Sequence, residues 1–275
     1  MIQDILPHRL FNQYVPNKRP DASSRIIAWK NGQMLMKIDQ DQRTLAFPRS
    51  KDFDYLEITD YLFSLDEEPF FLAFDPEVPE GFTYCNLREI RRWNLEPRAY
   101  AFAAFTAHQL AEWYENTTFC GKCGHRMQNS PKERARTCPK CGGTIYPRIN
   151  PAVIVGVTWG EKLLITRYKG PNAINALVAG FTEIGETFEE TVAREVMEET
   201  GLTVKNIRYY KSQPWGIASD ILAGYYCDVD GDPTIHRDDN ELKYAEWVQR
   251  EEIELQPSDY SLTNEMMLRF KEGLV

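Results

Sequence analysis

The stretch GFTEIGETFEETVAREVMEETGL, residues Gly180–Leu202, decides the fold of the second half of the chain. It carries seven glutamates and a single arginine. Thr187 followed by Glu190 is a capping box, which predicts the start of a helix. Gly201 occupies a position where a left-handed residue commonly ends a helix. The stretch therefore predicts a capped helix with an unusual amount of negative charge.

Three glutamates crowd one side of this predicted helix. Glu195 and Glu199 lie one turn apart, about 6 Å along the axis, with Glu198 on the neighbouring row. Such like charges repel each other, and a hard divalent cation reverses the sign of that interaction. Arg194 is expected either to meet the substrate or to orient a glutamate through a bidentate pair. The pattern indicates Mg²⁺ or Mn²⁺ together with a phosphate-bearing substrate, and a solvated surface helix is the alternative.

The whole chain has the composition of an ordinary soluble globular protein. It has 275 residues, of which 43% are hydrophobic and 27% charged, and its net charge is -9. An acidic balance argues against a protein whose main task is to hold duplex nucleic acid or an anionic membrane. The start, MIQDILPHRL, lacks the basic and long apolar regions of a signal peptide, so we expect a cytoplasmic protein.

Four cysteines form a separate module. Cys120, Cys123, Cys138 and Cys141 follow the pattern C-x2-C, fourteen residues, C-x2-C. Each pair can aim two thiolates at one tetrahedral ion, and four sulfurs leave no open position for water. The spacing predicts one structural zinc per chain. Basic residues of this module either touch phosphates or keep the module soluble: Lys122, Arg126, Lys132, Arg134, Arg136 and Lys140.

The remaining patterns divide the chain into three parts. RIIAWKNGQMLMKI carries an Asn-Gly hairpin signal, and LEPRAYAFAAFTAHQLAEWYEN predicts a helix that ends an N-terminal α+β domain over residues 1–115. The zinc ribbon takes residues 116–146 and the last domain 147–275. That domain is expected to begin with a hairpin around Gly160, followed by a loop containing Pro171, and to end in a helix from about Ser261. The two hairpins resemble each other, so the N-terminal domain is either a diverged copy without the acidic helix or an unrelated hairpin domain.

Residues 180–202 match every fixed position of the Nudix box, G-x5-E-x7-R-E-U-x-E-E-x-G-U, where U is apolar. The resemblance implies an α/β (α+β) protein whose last domain is a Nudix α/β/α sandwich with a mixed sheet. It also implies hydrolysis of a nucleoside diphosphate linked to another moiety. A four-cysteine ribbon directly before such a domain resembles the NADH pyrophosphatases, as do the segments FCGKCGH, YPRINPAVIV, ALVAGF and SQPW.

The resemblance implies roles for individual residues. Glu195 and Glu199 would bind the catalytic metal, Mg²⁺ or Mn²⁺, and Glu198 would be a further ligand or help to activate water. Glu241 lies where the family places a distant metal-binding glutamate. Glu195, Glu198 and Glu199 would form the catalytic site.

The same resemblance implies a set of substrate contacts. Phe181 and Tyr146 would stack on a ring of the substrate, Glu133 would contact it, and Thr263 would offer a backbone contact. The family motif S-Q-P-W-P-F-P-x-S implies contacts from Gln213, Trp215 and, at the position of its last serine, Asp220. This chain has Gly-Ile-Ala at 216–218 where the motif has Pro-Phe-Pro. The loss of two prolines predicts a less rigid segment.

Three functional hypotheses follow. The first is a homodimeric, metal-dependent hydrolase of NAD(H) that yields nicotinamide mononucleotide and AMP, and also removes NAD caps from RNA. The second is the same chemistry on another nucleoside diphosphate derivative, such as ADP-ribose or a diadenosine polyphosphate. The third is a zinc-ribbon RNA-binding protein with an inactive Nudix domain. The intact glutamates and the acidic net charge speak against the third.

Overall fold

A computed structural model describes residues 1–57, 60–170 and 173–275. The chain forms two units. The N-terminal unit contains residues 2–148 together with 216–219, and the C-terminal unit contains Met1 with 149–215 and 220–275. The expected loop at Pro171 lies outside the described residues. The three-part division of the sequence stays a prediction, since the ribbon residues belong to the N-terminal unit.

The N-terminal unit is built on an open sheet. Its elements are β1 (Leu10–Phe11), β2 (Arg25–Lys30), β3 (Gln33–Asp39), β4 (Thr44–Ala46), a 3₁₀ turn (Ser50–Asp52), β5 (Asp60–Leu65), β6 (Glu68–Phe74), β7 (Thr83–Cys85), α1 (Leu87–Ile90) and α2 (Arg98–Asn116). The strand order is β1-β5-β6-β2-β3-β4, with β7 on β3. Asn31 and Gly32 both have positive φ, 50° and 75°, as a two-residue hairpin turn requires. The predicted N-terminal hairpin is confirmed.

Helix α2 begins at Arg98 because Pro97 is the extended N-cap residue, with φ -70° and ψ 141°. Its alanines are buried, which allows the helix to lie close to the sheet. The indole Nε1 of Trp29 in β2 donates to Glu115 Oε2 at 2.9 Å, and its ring meets His108 edge to face at 5.1 Å. The predicted helix thus covers this unit's sheet.

The ribbon residues form three short strands. They are β8 (Gln128–Asn129), β9 (Arg136–Thr137) and β10 (Thr144–Ile145), in the order β10-β9-β8. Arg134 donates to the Leu62 carbonyl oxygen at 2.5 Å, and Arg136 donates to the Met127 carbonyl oxygen at 3.1 Å. Two of the basic side chains therefore hold the ribbon together and join it to β5.

The C-terminal unit is a sheet between two helices. Its elements are β11 (Asn150–Trp159), β12 (Lys162–Tyr168), β13 (Val178–Phe181), α3 (Phe188–Thr200), β14 (Val204–Trp215), β15 (Asp220–Val229), β16 (Leu242–Gln249), a 3₁₀ turn (Arg250–Glu252) and α4 (Leu262–Lys271). The order is β14-β15-β11-β12-β16, with β13 on β11. Only β11 and β15 among these pairs are parallel. The sheet is mixed, as predicted.

Alternation along β11 builds the two cores. Val153 and Val155 point to the face covered by α3, where Val192 and Val196 join them. Ile154 points to the opposite face, among the buried side chains of α4. This period of two produces the predicted α/β/α sandwich.

The two sheets share a topology. The order β5-β6-β2-β3 repeats in β14-β15-β11-β12, and the central pair is parallel in each. Where the C-terminal unit places β13 and α3, the described residues of the N-terminal unit form β4 and a 3₁₀ turn. This correspondence supports the proposal that the N-terminal unit is a diverged copy without the acidic helix. None of the described helices has the length and apolar character needed to cross a membrane.

Candidate functional site

Helix α3 has the ends that its sequence predicts. The Thr187 side chain accepts from the Glu190 backbone N–H at 3.2 Å, and Glu190 accepts from the Thr187 N–H at 2.7 Å. Gly201 ends the helix in the left-handed region at φ 69°. Glu183 and Glu186 precede the helix, in the loop that follows β13, whereas Glu195, Glu198 and Glu199 lie on the helix. The charge is thus divided between a loop and a helix face.

Arg194 connects these two groups. Its Nε and Nη2 donate to the two carboxylate oxygens of Glu186 at 2.6 and 2.9 Å. Its Nη1 donates to Glu195 at 2.8 Å and to Glu198 at 2.9 Å. The hydrogen bonds from Arg194 lower the pKa of Glu186 to about 2. The expected orienting role of Arg194 is therefore visible in the structure, with Glu186 as its bidentate partner.

Glu199 is the buried member of the group, with only 2% of its surface exposed. The Tyr168 hydroxyl lies 2.8 and 3.1 Å from its two carboxylate oxygens. Burial raises the pKa of Glu199 to about 8, the hydrogen bond from Tyr168 opposes this, and the charge of Glu195 adds to it. Burial also raises the pKa of Glu195, against the effect of Arg194. The site thus holds two carboxylates that a cation would stabilise.

Glu241 is exposed, just before β16. Its negative charge contributes to the raised pKa of both Glu195 and Glu199, so it lies within electrostatic reach of them. Glu198, with 60% of its side chain exposed, is turned towards Arg194. The fold therefore gathers Glu195, Glu199 and Glu241, and leaves Glu198 at the solvent edge.

This donor set fits a hard divalent ion. All the donors are carboxylate oxygens, and the pair on α3 is partly desolvated. Glu195, Glu199 and Glu241 do not converge within 4.8 Å of one another as the cysteines do. Mg²⁺ usually keeps several water ligands and binds substrate phosphates, so it does not need a closed protein cage. The assignment of individual ligands stays a prediction.

The cysteine site is closed. The ligand atoms of Cys120, Cys123, Cys138 and Cys141 all lie within 4.8 Å of one another. The sulfurs of Cys120 and Cys141 are 3.6 Å apart, and those of Cys123 and Cys138 are 3.5 Å apart. Zn–S bonds of about 2.3 Å place tetrahedral sulfurs roughly 3.8 Å apart. Backbone N–H donors, first that of Cys141, lower the pKa of Cys138 to about 6. A backbone donor at His125 acts in the same direction on Cys123, but the hydrogen bond with Cys138 and burial outweigh it and raise the pKa of Cys123 to about 12.

Two aromatic side chains expected at the substrate are open to solvent. Phe181 is 54% exposed and Tyr146 is 57% exposed. The Tyr146 hydroxyl donates to Glu133 at 3.0 Å. Thr263 is partly exposed in the first turn of α4. Their contacts with a substrate stay predictions.

Gln213 has a structural environment. It is fully buried, its amide donates to the Tyr260 carbonyl oxygen at 2.8 Å, and its side-chain oxygen accepts from the Leu262 N–H at 2.6 Å. Trp215 and Asp220 face each other in register at the ends of β14 and β15. Gln213 thus anchors the start of α4, and a substrate contact by it stays a prediction.

The segment 216–219 explains one departure from the family motif. A Cβ on Gly216 would lie 2.0 Å from the Phe105 carbonyl oxygen of α2, so a side chain at this position does not fit. The Gly216 carbonyl oxygen lies 3.2 Å from His108 Nδ1, and Ile217 is 2% exposed. The segment is packed on α2, and the expectation that it is less rigid stays a prediction.

Two residues beside the site have roles that only the structure shows. Tyr168 reaches Glu199 from another strand, and no local spacing predicts that contact. Gly180 is fixed by the motif, yet its reason appears only in the structure: a Cβ there would lie 1.9 Å from the Glu195 carboxyl carbon. Both residues shape the surroundings of the two carboxylates on α3.

Comparison with known proteins agrees with this site. Residues 148–269 match the NUDIX domain, and residues 115–146 match the NADH pyrophosphatase zinc ribbon domain. Among curated proteins, the chain is 43% identical over 151 residues to the NAD-capped RNA hydrolase NudC of Enterobacter sp. (strain 638). It is 41% identical over 151 residues to the protein of that name in Klebsiella pneumoniae (strain 342). Each match covers 54% of this chain and 58% of the relative, just over half of its length.

A solved structure is also similar. The crystal structure of a NUDIX hydrolase from Nitrosomonas europaea has a TM-score of 0.49 and 22% identity, and covers 56% of this chain and 90% of that one. The assignment of the two domains rests on these two domain matches and on the closed cysteine site. The chain therefore contains a NUDIX domain directly preceded by an NADH pyrophosphatase zinc ribbon domain.

Proposed function

We propose that this protein is a metal-dependent hydrolase that cleaves the diphosphate bond of NAD(H) to give nicotinamide mononucleotide and AMP. The observation that carries the proposal is the desolvated pair Glu195 and Glu199 on the NUDIX helix. The zinc ribbon domain in front of it supports the choice of dinucleotide. Relatives named NAD-capped RNA hydrolase support a second substrate, the NAD cap of RNA.

Glu195, Glu199 and Glu241 would hold Mg²⁺ or Mn²⁺, with Glu198 as a further ligand or a participant in proton transfer. When bound, the ion would neutralise the diphosphate and lower the pKa of the attacking water. Water adds to one phosphorus, the bridging P–O bond breaks, and the proton from water passes to a carboxylate. Glu198, with 60% of its side chain exposed, is open to that water. Arg194 orients the glutamates, and its guanidinium N–H groups are already hydrogen-bonded to them.

Substrate binding would use the exposed surfaces. Phe181 and Tyr146 offer flat faces for an adenine or nicotinamide ring. Glu133 would contact the substrate from its position beside Tyr146. Trp215, Asp220 and the Thr263 backbone complete the proposed contacts. A homodimer in the cytoplasm is part of the proposal on the resemblance alone.

A second candidate function has one observation in its favour. Gly216 and Ile217 replace a proline and an aromatic residue of the NADH pyrophosphatase motif and are packed on α2. A substrate such as ADP-ribose or a diadenosine polyphosphate would be cut by the same glutamates. Binding of RNA without catalysis is less well supported, because Arg134 and Arg136 donate to backbone oxygens of the protein.

A substrate comparison tests the proposal. The protein is incubated with NADH, NAD⁺, ADP-ribose, diadenosine tetraphosphate and an NAD-capped RNA, each with Mg²⁺ or Mn²⁺, and products are resolved by mass spectrometry. We expect AMP and nicotinamide mononucleotide from the dinucleotides as the preferred reaction. Turnover confined to ADP-ribose or the tetraphosphate would replace the first candidate by the second. RNA binding with no hydrolysis of any compound would overturn both.

A further inference from the structure

The Tyr168 hydroxyl lies between α3, which carries the acidic pair, and β13. It is 2.8 and 3.1 Å from the Glu199 carboxylate oxygens on α3. On the other side, the Ala179 backbone N–H of β13 donates to the hydroxyl oxygen at 3.0 Å. The Ala179 carbonyl oxygen also lies near the hydroxyl, at 3.3 Å. The Glu199 oxygens are nearer and the carboxylate is the stronger acceptor, so the phenol proton is directed at Glu199.

A break in the sheet places Tyr168 there. Along β12 and β16 the pairing runs Arg167 with Tyr244, and then Tyr168 with Leu242, so Lys243 is an extra residue on β16. Such bulges bend a strand and re-aim side chains, and they are frequent beside active sites. The pairing then continues with Glu241, whose carbonyl oxygen accepts from the Lys169 N–H at 3.0 Å. This one bulge therefore sets the positions of both Tyr168 and Glu241 at the end of the paired strands.

The chemistry of the hydroxyl suits a metal ligand. A neutral O–H donor stabilises a buried carboxylate without bringing a positive charge that would compete with a cation. Arg194, in contrast, places a full positive charge beside the Glu195 carboxylate. Ala179 precedes Gly180, which lies against Glu195. The hydroxyl therefore holds the Glu199 carboxylate and also β13, the strand whose Gly180 leaves the space that Glu195 occupies.

We propose that Tyr168 is a positioning residue, whose hydroxyl orients the Glu199 carboxylate for a divalent cation and ties β13 to the same ligand. The inference rests on the proposed function of the acidic site and adds to it a side chain outside the Nudix motif. Partners that orient a metal ligand typically contribute 10- to 100-fold to metal affinity or activity.

Mn²⁺ binding without substrate tests this role. Zinc-loaded wild type, Tyr168→Phe and Tyr244→Phe are titrated with Mn²⁺, and free Mn²⁺ is followed by electron paramagnetic resonance. Tyr244 is the matched control, because it lies on the neighbouring strand β16 and its hydroxyl donates to another glutamate of that strand, Glu246, at 3.1 Å. We expect the Mn²⁺ Kd to rise about tenfold in Tyr168→Phe and by less than about twofold in Tyr244→Phe.

Kinetics provide a second readout. Excess Mn²⁺ should restore most of the kcat of Tyr168→Phe, while the KM for NADH stays at the wild-type value. An unchanged Mn²⁺ Kd in a folded Tyr168→Phe protein would overturn the proposal. If this variant does not fold, Tyr168→Met, whose flexible side chain fills the space without a hydroxyl, takes its place. Failure of both variants to fold would assign the residue to stability and also overturn the proposal.

The outcomes separate this inference from the proposed function. A wild-type protein that binds Mn²⁺ but leaves NADH intact refutes the NAD(H) activity, and the comparison of Mn²⁺ Kd values still decides the role of Tyr168. A wild-type protein that binds no Mn²⁺ refutes both.

Discussion

Gly180 and Glu195 approach each other so closely that no side chain fits between them. A Cβ on Gly180 would lie 1.9 Å from the carboxyl carbon of Glu195 and 2.0 Å from one of its oxygens. Gly180 pairs with Val153 of the central strand β11, so the strand cannot move aside easily. The first glycine of the motif is thus explained by the space that the Glu195 carboxylate occupies.

Gly180→Ala should displace the Glu195 carboxylate. We expect loss of most hydrolytic activity, by about 100-fold or more, because a carboxylate moved by an ångström no longer supports the transition state. Activity and Mn²⁺ affinity measure the effect. Gly121→Ala adds the same methyl group where no atom lies within 4 Å and should keep activity. Full activity of Gly180→Ala would refute the predicted role of Glu195.

Arg194→Lys should separate charge from geometry. Lysine keeps the positive charge but cannot bind Glu186 in a bidentate manner while also donating to Glu195 and Glu198. We expect a loss of about 1.5–3 kcal/mol in the free energy of unfolding, since hydrogen bonds to charged groups are lost, together with lower activity. Urea denaturation measures it. In Arg208→Lys, a surface pair with Asp228, the change should stay within about 0.5 kcal/mol, and an equal loss there would contradict the account.

Zinc should be bound by the four cysteines at one ion per chain. Cys138→Ser should lower the zinc content measured by plasma mass spectrometry and the melting temperature of the N-terminal unit, because structural zinc binding contributes folding free energy. Cys85→Ser, outside the ribbon, should keep both. Chelation that removes the zinc without changing the thermal transition would show that the ion is not structural.

Glu265 should make stability depend on pH. Burial favours a higher pKa for Glu265, but donors from Lys211 and Tyr210 outweigh it, and the pKa lies below its ordinary value of 4.5. A lowered folded pKa stabilises the protein above the unfolded pKa, and this stabilisation disappears as the pH falls through the folded value.

Lys211→Met measures this contribution. We expect it to cost about 0.5–1 kcal/mol of unfolding free energy at pH 7, and the difference from wild type to fade below pH 4.5. Lys205→Met, which loses a pair exposed on both sides, should cost less. A cost for Lys211→Met that does not change with pH would mean that its alkyl chain, and not the ion pair, stabilises the protein.

Local patterns predicted much of this molecule. The capping box at Thr187, the turn at Asn31 and the cysteine spacing depend on neighbours in sequence, and the structure places all three as expected. The contact of Tyr168 with Glu199 depends on a bulge between β12 and β16, which no local pattern indicates. The need for a glycine at position 216 depends on the Phe105 carbonyl oxygen, which is far away in sequence. Contacts between distant elements are what the sequence analysis could not supply.

The most direct test is the rate at which NADH gives AMP and nicotinamide mononucleotide as Mn²⁺ is raised. The wild type should show metal-dependent release of both products. Glu199→Gln, which removes the buried charge but keeps the shape, should be slower by at least about 100-fold at every Mn²⁺ concentration. Glu189→Gln, exposed on the same helix, should match the wild type. Equal rates in wild type and Glu199→Gln, or no metal dependence, would contradict the account.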